Sequence, residues 1–251
     1  MSDVIAVTRS GATATVTLHR PARRNALRTE DLRVLATTVR DLGDDPNVSV
    51  LVLRGSDGVF SAGADITELS ALTSVDAARE HARAGQAACD ALERTPLVVI
   101  AAIDGWCVGG GLELALSCDL RLASPTARFG QVELGIASIA AWGGVRRLPR
   151  IVGIARAKEL VFTAGHIDAA RAEHIGLVTA VAPDADLDAF VATYVDRLVR
   201  QAPSALATAK RALDHAFDVP LKAGLEQDIE TFALLSQADE FKAGVARFLA
   251  R

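Results

Sequence analysis

The chain has 251 residues, 50% of them hydrophobic, and a formal net charge of -4 at pH 7. That length suits one large domain, or a core with a small appendage, around a substantial apolar interior, and the negative balance argues against general affinity for nucleic acid or anionic membrane. No apolar run approaches the roughly 20 residues that cross a bilayer, and Met1 to Arg9 lacks a basic stretch leading into an apolar one, so a soluble cytoplasmic protein is expected.

Val4 to Val7 and Ala14 to Leu18 carry alternating β-branched residues around Gly11 and predict a hairpin. Thr29 is placed to cap a helix through Leu32, Leu35, Val39 and Leu42, ended by Asp44, Asp45 and Pro46. Val48 to Leu53 reads as a buried strand, Gly55 to Gly63 as a loop, and Val75 to Glu93 as a helix stopped before Pro96. Leu97 to Ile103 is an unbroken apolar run, as expected of a strand covered on both faces.

Asp104 and Gly105 turn the chain, after which Gly109 to Ser117 predicts a helix, with Asp119 to Ala123 and Phe129 to Gln131 as strands. The alternation implies α/β architecture. Beyond Ile154 helices are expected over Arg156 to Thr163, Asp168 to His174, Asp186 to Gln201, Pro203 to Phe217 and Leu221 to Ala250. The division expected is a core with the active site over 1–190 and a helical appendage over 191–251.

Cys89, Cys107 and Cys118 have neither disulfide nor zinc-site spacing, which suits reduced, mostly buried thiols. His19, His81, His166, His174 and His215 are scattered without metal-ligand spacing, so no metal is expected and structural or surface roles are the reading. Ser61 and Ser138 lack a nucleophile-elbow sequence. The glycine run Gly109 to Gly111 lacks both the Lys-Ser/Thr of a P-loop and a dinucleotide fingerprint.

The chemistry concentrates in Asp104-Gly105-Trp106-Cys107-Val108-Gly109-Gly110-Gly111-Leu112-Glu113, where a buried strand hands over to a helix. Glycine lets a ligand approach the backbone closely, and the first N–H groups of a helix lack intrahelical partners, so an anionic oxygen can be held there by backbone alone. Gly110 is the candidate donor. Glu113, about one turn later, projects towards the same spot as an acid/base group. The alternative is a tightly packed helix start whose Glu complements the dipole. In the loop Phe60-Ser61-Ala62-Gly63-Ala64-Asp65-Ile66, Ala64 N–H is a candidate second donor, against the alternative of a Gly/Ala turn with Asp65 as a helix cap.

Together with Arg20-Pro21 and Asn25-Ala26-Leu27, Cys118-Asp119, Phe129-Gly130-Gln131 with Glu133, Gly143-Gly144 with Arg147-Leu148, and Ala172 with Gly176-Leu177-Val178, these segments resemble the enoyl-CoA hydratase/isomerase (crotonase) superfamily, in order and over nearly the whole chain. The resemblance implies a spiral of repeated ββα units, a C-terminal helical region that trimerises the protein into a homotrimer or a dimer of trimers, and an acyl-CoA substrate. It implies no cofactor beyond the coenzyme A that the substrate carries. It places the oxyanion hole at the N–H groups of Ala64 and Gly110, and the two hydratase glutamates at Glu113 and Glu133, with Glu133 serving C2 and Glu113 the water. Arg24, Ala62, Ala64, Asp65, Ile66 and Gly110 are the candidates for the coenzyme A moiety and thioester, although Arg20, Arg23 and Arg24 also suit a solvated surface cluster.

Two positions depart from the family pattern. Ala140-Ala141-Trp142-Gly143-Gly144 stands where relatives usually carry a Pro-Gly-Ala-Gly-Gly-like segment bordering the acyl pocket. Trp142 either reshapes that pocket or is buried elsewhere in the core. Ala141 stands where dienoyl-CoA isomerases and chlorobenzoyl-CoA dehalogenases carry a catalytic aspartate, which disfavours those activities. The expected function is reversible hydration of a 2-enoyl-CoA; alternatives are isomerisation or other acyl-CoA enolate chemistry, such as thioester hydrolysis or C–C bond change, and non-catalytic acyl-CoA binding.

Overall fold

The computed structural model describes residues 4–184 and 186–250. The chain opens with β1 (Ile5–Ser10) and β2 (Thr13–Leu18), an antiparallel hairpin pairing Ile5 with Leu18. Helix α1 (Thr29–Gly43) and strand β3 (Val50–Gly55) follow, then α2 (Ile66–Ser70), α3 (Val75–Arg94) and β4 (Val98–Ile103). Next come β5 (Trp106–Val108), α4 (Gly110–Leu116), β6 (Leu120–Ala123), β7 (Arg128–Gly130) and a 3-10 turn over Glu133–Ile136. The remainder is α5 (Gly144–Thr163), β8 (Ile167–Asp168), α6 (Ala169–His174), β9 (Ala180–Val181) and four helices, α7 (Leu187–Leu198), α8 (Pro203–Asp214), α9 (Leu221–Leu235) and α10 (Asp239–Leu249).

The main sheet has the order β1-β2-β3-β4-β6-β9 and is parallel except for the opening hairpin. A smaller sheet, β5-β7-β8, takes the strand that follows β4 and the strand that follows β6. Successive strands thus enter two sheets in turn, giving the spiral of ββα units expected of the crotonase fold. Odd and even positions of β3 and β4 explain the unbroken apolar runs. Leu51, Leu53, Val99 and Ala101 face the core built with α1 and α3, whereas Val50, Val52, Ile100 and Ala102 pack with Leu187 and Val191 of α7. Each strand is buried on both faces.

Several expected boundaries move. Thr29 begins α1 instead of capping it: Asp31 accepts the Arg28 N–H, and the Thr29 hydroxyl bonds His81 Nδ1 at 3.0 Å. Strand β5 was not expected, because three residues between glycines carry no periodic signal. Helix α5 begins at Gly144, well before Arg156, and contains Gly153 in a non-helical conformation at φ 77°. The single helix expected from Leu221 breaks between α9 and α10. There Asp239 and Glu240 favour a new N-terminus, and Phe232 meets Phe241 edge-on at 6.1 Å.

The boundary expected at 190/191 falls inside α7, which still packs on the sheet through Leu187 and Val191. Lys210 is the one buried residue reported across α8 to α10 among the described residues. Its Nζ pairs with Asp119 at 2.9 Å and donates to Leu92 O and Leu97 O. No helix among the described residues is long and apolar enough to cross a membrane.

Candidate active site

Two loops and the start of α4 meet at the edge where the two sheets join. Ser61 pairs with Cys107, donating its N–H to Trp106 O and accepting from Val108 N–H. Gly63 has φ +88°, and a Cβ on it would lie 2.5 Å from Gly110 N, so only glycine allows the loops this close. Leu27 N–H donates to Gly63 O and Asp65 N–H to Leu27 O, which fixes Ala64 between them. Among the described residues neither Ala64 N–H nor Gly110 N–H has a hydrogen-bond partner. Two adjacent segments therefore present free donors.

The support behind these loops is polar and buried. Asn25 donates to Ser56 O at 3.0 Å and Val59 O at 2.6 Å and accepts from Arg20 N–H at 2.9 Å. Ser61 Oγ donates to Asn25 O and accepts from Gly63 N–H. Asn25 appeared in the sequence only as part of a motif. Its bonds to backbone far along the chain explain why asparagine, with both donor and acceptor atoms, stands there.

Glu113 is 2% exposed and its Oε1 accepts from Gly144 N–H at 2.7 Å. Burial raises its pKa to about 8, opposed by the Gly144 N–H and reinforced by the nearby charge of Glu133. The far end of α4 is anchored by Arg121, whose guanidinium donates to Cys118 O, Leu177 O and Ala115 O. Glu133 sits in the 3-10 turn, half-buried, and burial raises its pKa as well. A Cβ on Gly109 would come within 3.4 Å of Glu133 Oε1, which places this carboxylate beside the Gly110 donor.

Gln131 binds one of the two carboxyl groups and lies near the other. Its Nε2 donates to both oxygens of Glu133, at 2.9 and 3.0 Å. Its Oε1 and Glu113 Cγ approach the same side of Gly144, where a Cβ would lie 2.7 and 2.9 Å from them. That Oε1 is buried without a partner among the described residues, so it is an acceptor available beside Glu113. The signal for Gln131 was present two residues before Glu133, but its role depends on α5 bringing Gly144 into place.

The other candidates divide. Arg24 has a left-handed φ of 52° and an exposed side chain without a partner among the described residues. Ile66 is exposed at the start of α2, and the Ala62 carbonyl lies near Gly109. Asp65 is committed to the scaffold: it caps α2 through Thr67 N–H and pairs with Arg20 at 2.6 Å, with Arg20 holding its carboxyl below the usual range despite burial. Trp142 is in the core and also against Gly110. Ala141 is half-buried beside it, and its carbonyl accepts from Gln86 Nε2. His81 is structural, bonded to Thr29 and beside Glu68 and Trp142.

Residues 8–251 match the family model described as enoyl-CoA hydratase/isomerase. The chain belongs to this enzyme family. Among its relatives, a probable enoyl-CoA hydratase of Mycobacterium tuberculosis is 36% identical over 249 residues, covering 98% of this chain and 95% of the relative. A short-chain-enoyl-CoA hydratase of Clostridium acetobutylicum is 34% identical over 242 residues, covering 96% and 92%. The crystal structure of an enoyl-CoA hydratase from Bacillus anthracis superposes with a TM-score of 0.94 at 30% identity, covering 99% of this chain and 96% of that one. The crotonase fold of this enoyl-CoA hydratase/isomerase family member thus extends over nearly the whole chain.

Proposed function

We propose that the protein reversibly hydrates a 2-enoyl-CoA to a 3-hydroxyacyl-CoA. The observation that carries this is the buried Glu113 and the half-buried Glu133, both with pKa raised by desolvation, beside two backbone N–H groups without partners among the described residues. Water adds across C2=C3 when its oxygen bonds to C3 and the π electrons move towards the thioester carbonyl. The N–H groups of Ala64 and Gly110 then hold the oxygen as it gains enolate character, a kind of donor whose loss costs about 100- to 1000-fold. Glu133 delivers a proton to C2, and Glu113 takes one from the attacking water.

This bookkeeping closes within the pair. One proton leaves Glu133 to C2 and one arrives on Glu113 from water, so the proton count of the pair is conserved, and the proton returns from Glu113 to Glu133, directly or by exchange with solvent, before the next turnover. Burial supplies what the exchange needs, because two desolvated carboxyl groups near one another do not both ionise at neutral pH. The pair titrates jointly and holds a proton there. Gly144 N–H and Gln131 Nε2 favour the charged forms of Glu113 and Glu133, and so keep either member able to act as base.

Arg24 is the proposed contact for coenzyme A phosphate, with the Ala62 carbonyl and the Asp65 to Ile66 backbone beside the rest of the carrier; Asp65 itself serves chiefly as scaffold. No further cofactor enters the reaction. Self-association is supported by the exposed apolar side chains Leu221, Leu225, Ile229, Phe232 and Phe248 on α9 and α10, a surface that a homotrimer or hexamer would cover. Light scattering on the purified protein is expected to give a mass three or six times that of the chain.

The function is tested with a panel of 2-enoyl- and 3-enoyl-CoA esters, following loss of conjugation and identifying products. Formation of 3-hydroxyacyl-CoA that falls at least 100-fold in both Glu113→Gln and Glu133→Gln is expected. Double-bond migration without water addition assigns isomerisation instead, and binding without turnover assigns a carrier role.

A further inference from the structure

Gln131 follows β7 and is held against the turn that carries the Gly110 donor: Gly109 N–H donates to Gly130 O at 2.9 Å, and Gln131 Nε2 donates to Gly109 O at 3.4 Å. The side chain is 1% exposed. Its amide has one orientation open to it. Nε2 donates to both Glu133 oxygens, at 2.9 and 3.0 Å, and turned end for end the group would set Oε1 against the same two oxygens, acceptor against acceptor. Oε1 is thereby fixed on the other side, towards Gly144 and Glu113.

That oxygen lacks a donor. It is buried with no partner among the described residues, and a buried acceptor left unpaired is costly. Gly144 N–H, the main-chain donor on that side, is taken by Glu113 Oε1 at 2.7 Å. What remains there is Glu113 itself, whose Cγ and the Gln131 oxygen meet the same face of Gly144, 2.9 and 2.7 Å from where a Cβ would stand. An ionised Glu113 offers only acceptors and would face Oε1 with like partial charge. A protonated Glu113 offers an O–H. Burial, which lifts this carboxyl to about 8, favours the same form at neutral pH.

We propose that Gln131 is a positioning residue that fixes where the shared proton rests: its Oε1 accepts from the O–H of protonated Glu113 while its Nε2 holds Glu133 as a carboxylate, so the ligand-free pair carries its proton on Glu113. The use of this arrangement in turnover rests on the hydratase reading. Adding water leaves the proton on Glu113 and Glu133 ionised, which is the state the amide favours. Returning the proton to Glu133 for the next hydration then works against Gln131, whereas loss of water from a 3-hydroxyacyl-CoA starts from the resting state directly.

The test follows the proton by NMR in the ligand-free protein, with 13C at the side-chain carbonyl carbon of glutamate and glutamine, titrated from pH 5 to pH 9. The two glutamate signals are identified by their loss in Glu113→Gln and Glu133→Gln. In wild type Glu133 should ionise first and Glu113 last. The comparison that isolates Oε1 is made in Glu133→Gln, where one carboxyl of the pair remains: adding Gln131→Met should lower the Glu113 pKa by about 1, the size expected for losing a hydrogen bond to the acid form. Other groups facing the pair do not confuse the result. The Cys89 thiol of α3 is pushed up to about 12 by burial, Arg147 of α5 is committed to Asp90 and Glu93, and His166 beside Gly130 is followed by its own ring signals. A Glu113 pKa unchanged on adding Gln131→Met overturns the proposal, as does a wild type in which Glu133 keeps its proton longer than Glu113. If Gln131→Met does not fold, the Gln131 carbonyl carbon in wild type decides: it should shift in step with Glu113, and a signal flat through that titration overturns the proposal. Because no substrate is present, the hydratase reading fails separately. The expected proton order without hydration of any 2-enoyl-CoA overturns that reading and leaves the hydrogen bond in place.

Discussion

Replacing Glu113 with glutamine separates the energetic cost of the buried carboxyl from its role in the reaction. Glutamine is nearly isosteric and keeps an oxygen to accept from Gly144 N–H, but it does not titrate. In the wild type, burial lifts this carboxyl from its ordinary 4.5 to about 8. The folded state therefore retains a proton that the unfolded chain releases, and stability falls as pH rises through that window. At 1.36 kcal/mol per pKa unit the full penalty is on the order of 5 kcal/mol, reached above pH 8. Part of the rise comes from the charge of Glu133, so a measured gain of about 2–4 kcal/mol is expected. Urea unfolding of both proteins at fixed concentration, at several values from pH 5 to pH 9, reads it directly. Glu113→Gln should become progressively more stable than wild type as the pH rises, while hydration is lost throughout. A stability difference that stays constant across this range would refute the assignment of a buried carboxyl that is protonated in the resting, ligand-free protein and yields that proton to the pair only when the reaction calls on Glu113 as base.

Other predictions probe the scaffold. Gly110→Ala should destabilise by about 1–3 kcal/mol through overpacking against Trp142, and most of that cost should disappear in a Trp142→Ala background, measured as a double-mutant cycle. Additive effects would show that the indole does not set the constraint at Gly110. Lys210→Met leaves Asp119 without its ion-pair partner in a site where burial already raises the Asp119 pKa against the help of Lys210. It should cost about 3–5 kcal/mol in thermal or denaturant unfolding and increase amide exchange in α8. Asn25→Leu removes donors from Ser56 O and Val59 O and an acceptor from Arg20 N–H. At about 1–3 kcal/mol for each buried group left unpaired, a loss on the order of 3 kcal/mol or more is expected, together with weaker turnover because the Ala64 loop rests on this network. The rate of hydration should also decline above about pH 8, where the glutamate pair gives up the proton that C2 requires; a rate flat beyond that pH in wild type would contradict the shared-proton scheme.

What the sequence by itself determined lies mostly where the information is local. The apolar run over β4, the glycine-rich handover into α4 and the Glu three residues after Gly110 are legible because strand burial and helical spacing are properties of consecutive residues. The order of motifs also sufficed to identify the family, since each motif occurs at its own distance along one chain. Tertiary structure decided the rest. A carboxyl group becomes basic only through what surrounds it, and Glu113 owes its surroundings to Gly144 and Glu133 from later in the chain. Gln131 acquires its place beside Gly144 for the same reason. Trp142 had two open readings, and the fold places it in the core, against Gly110, because Gly85 leaves room for the ring. Local pattern carries backbone conformation, whereas desolvation and steric exclusion arise between segments that only the fold brings together.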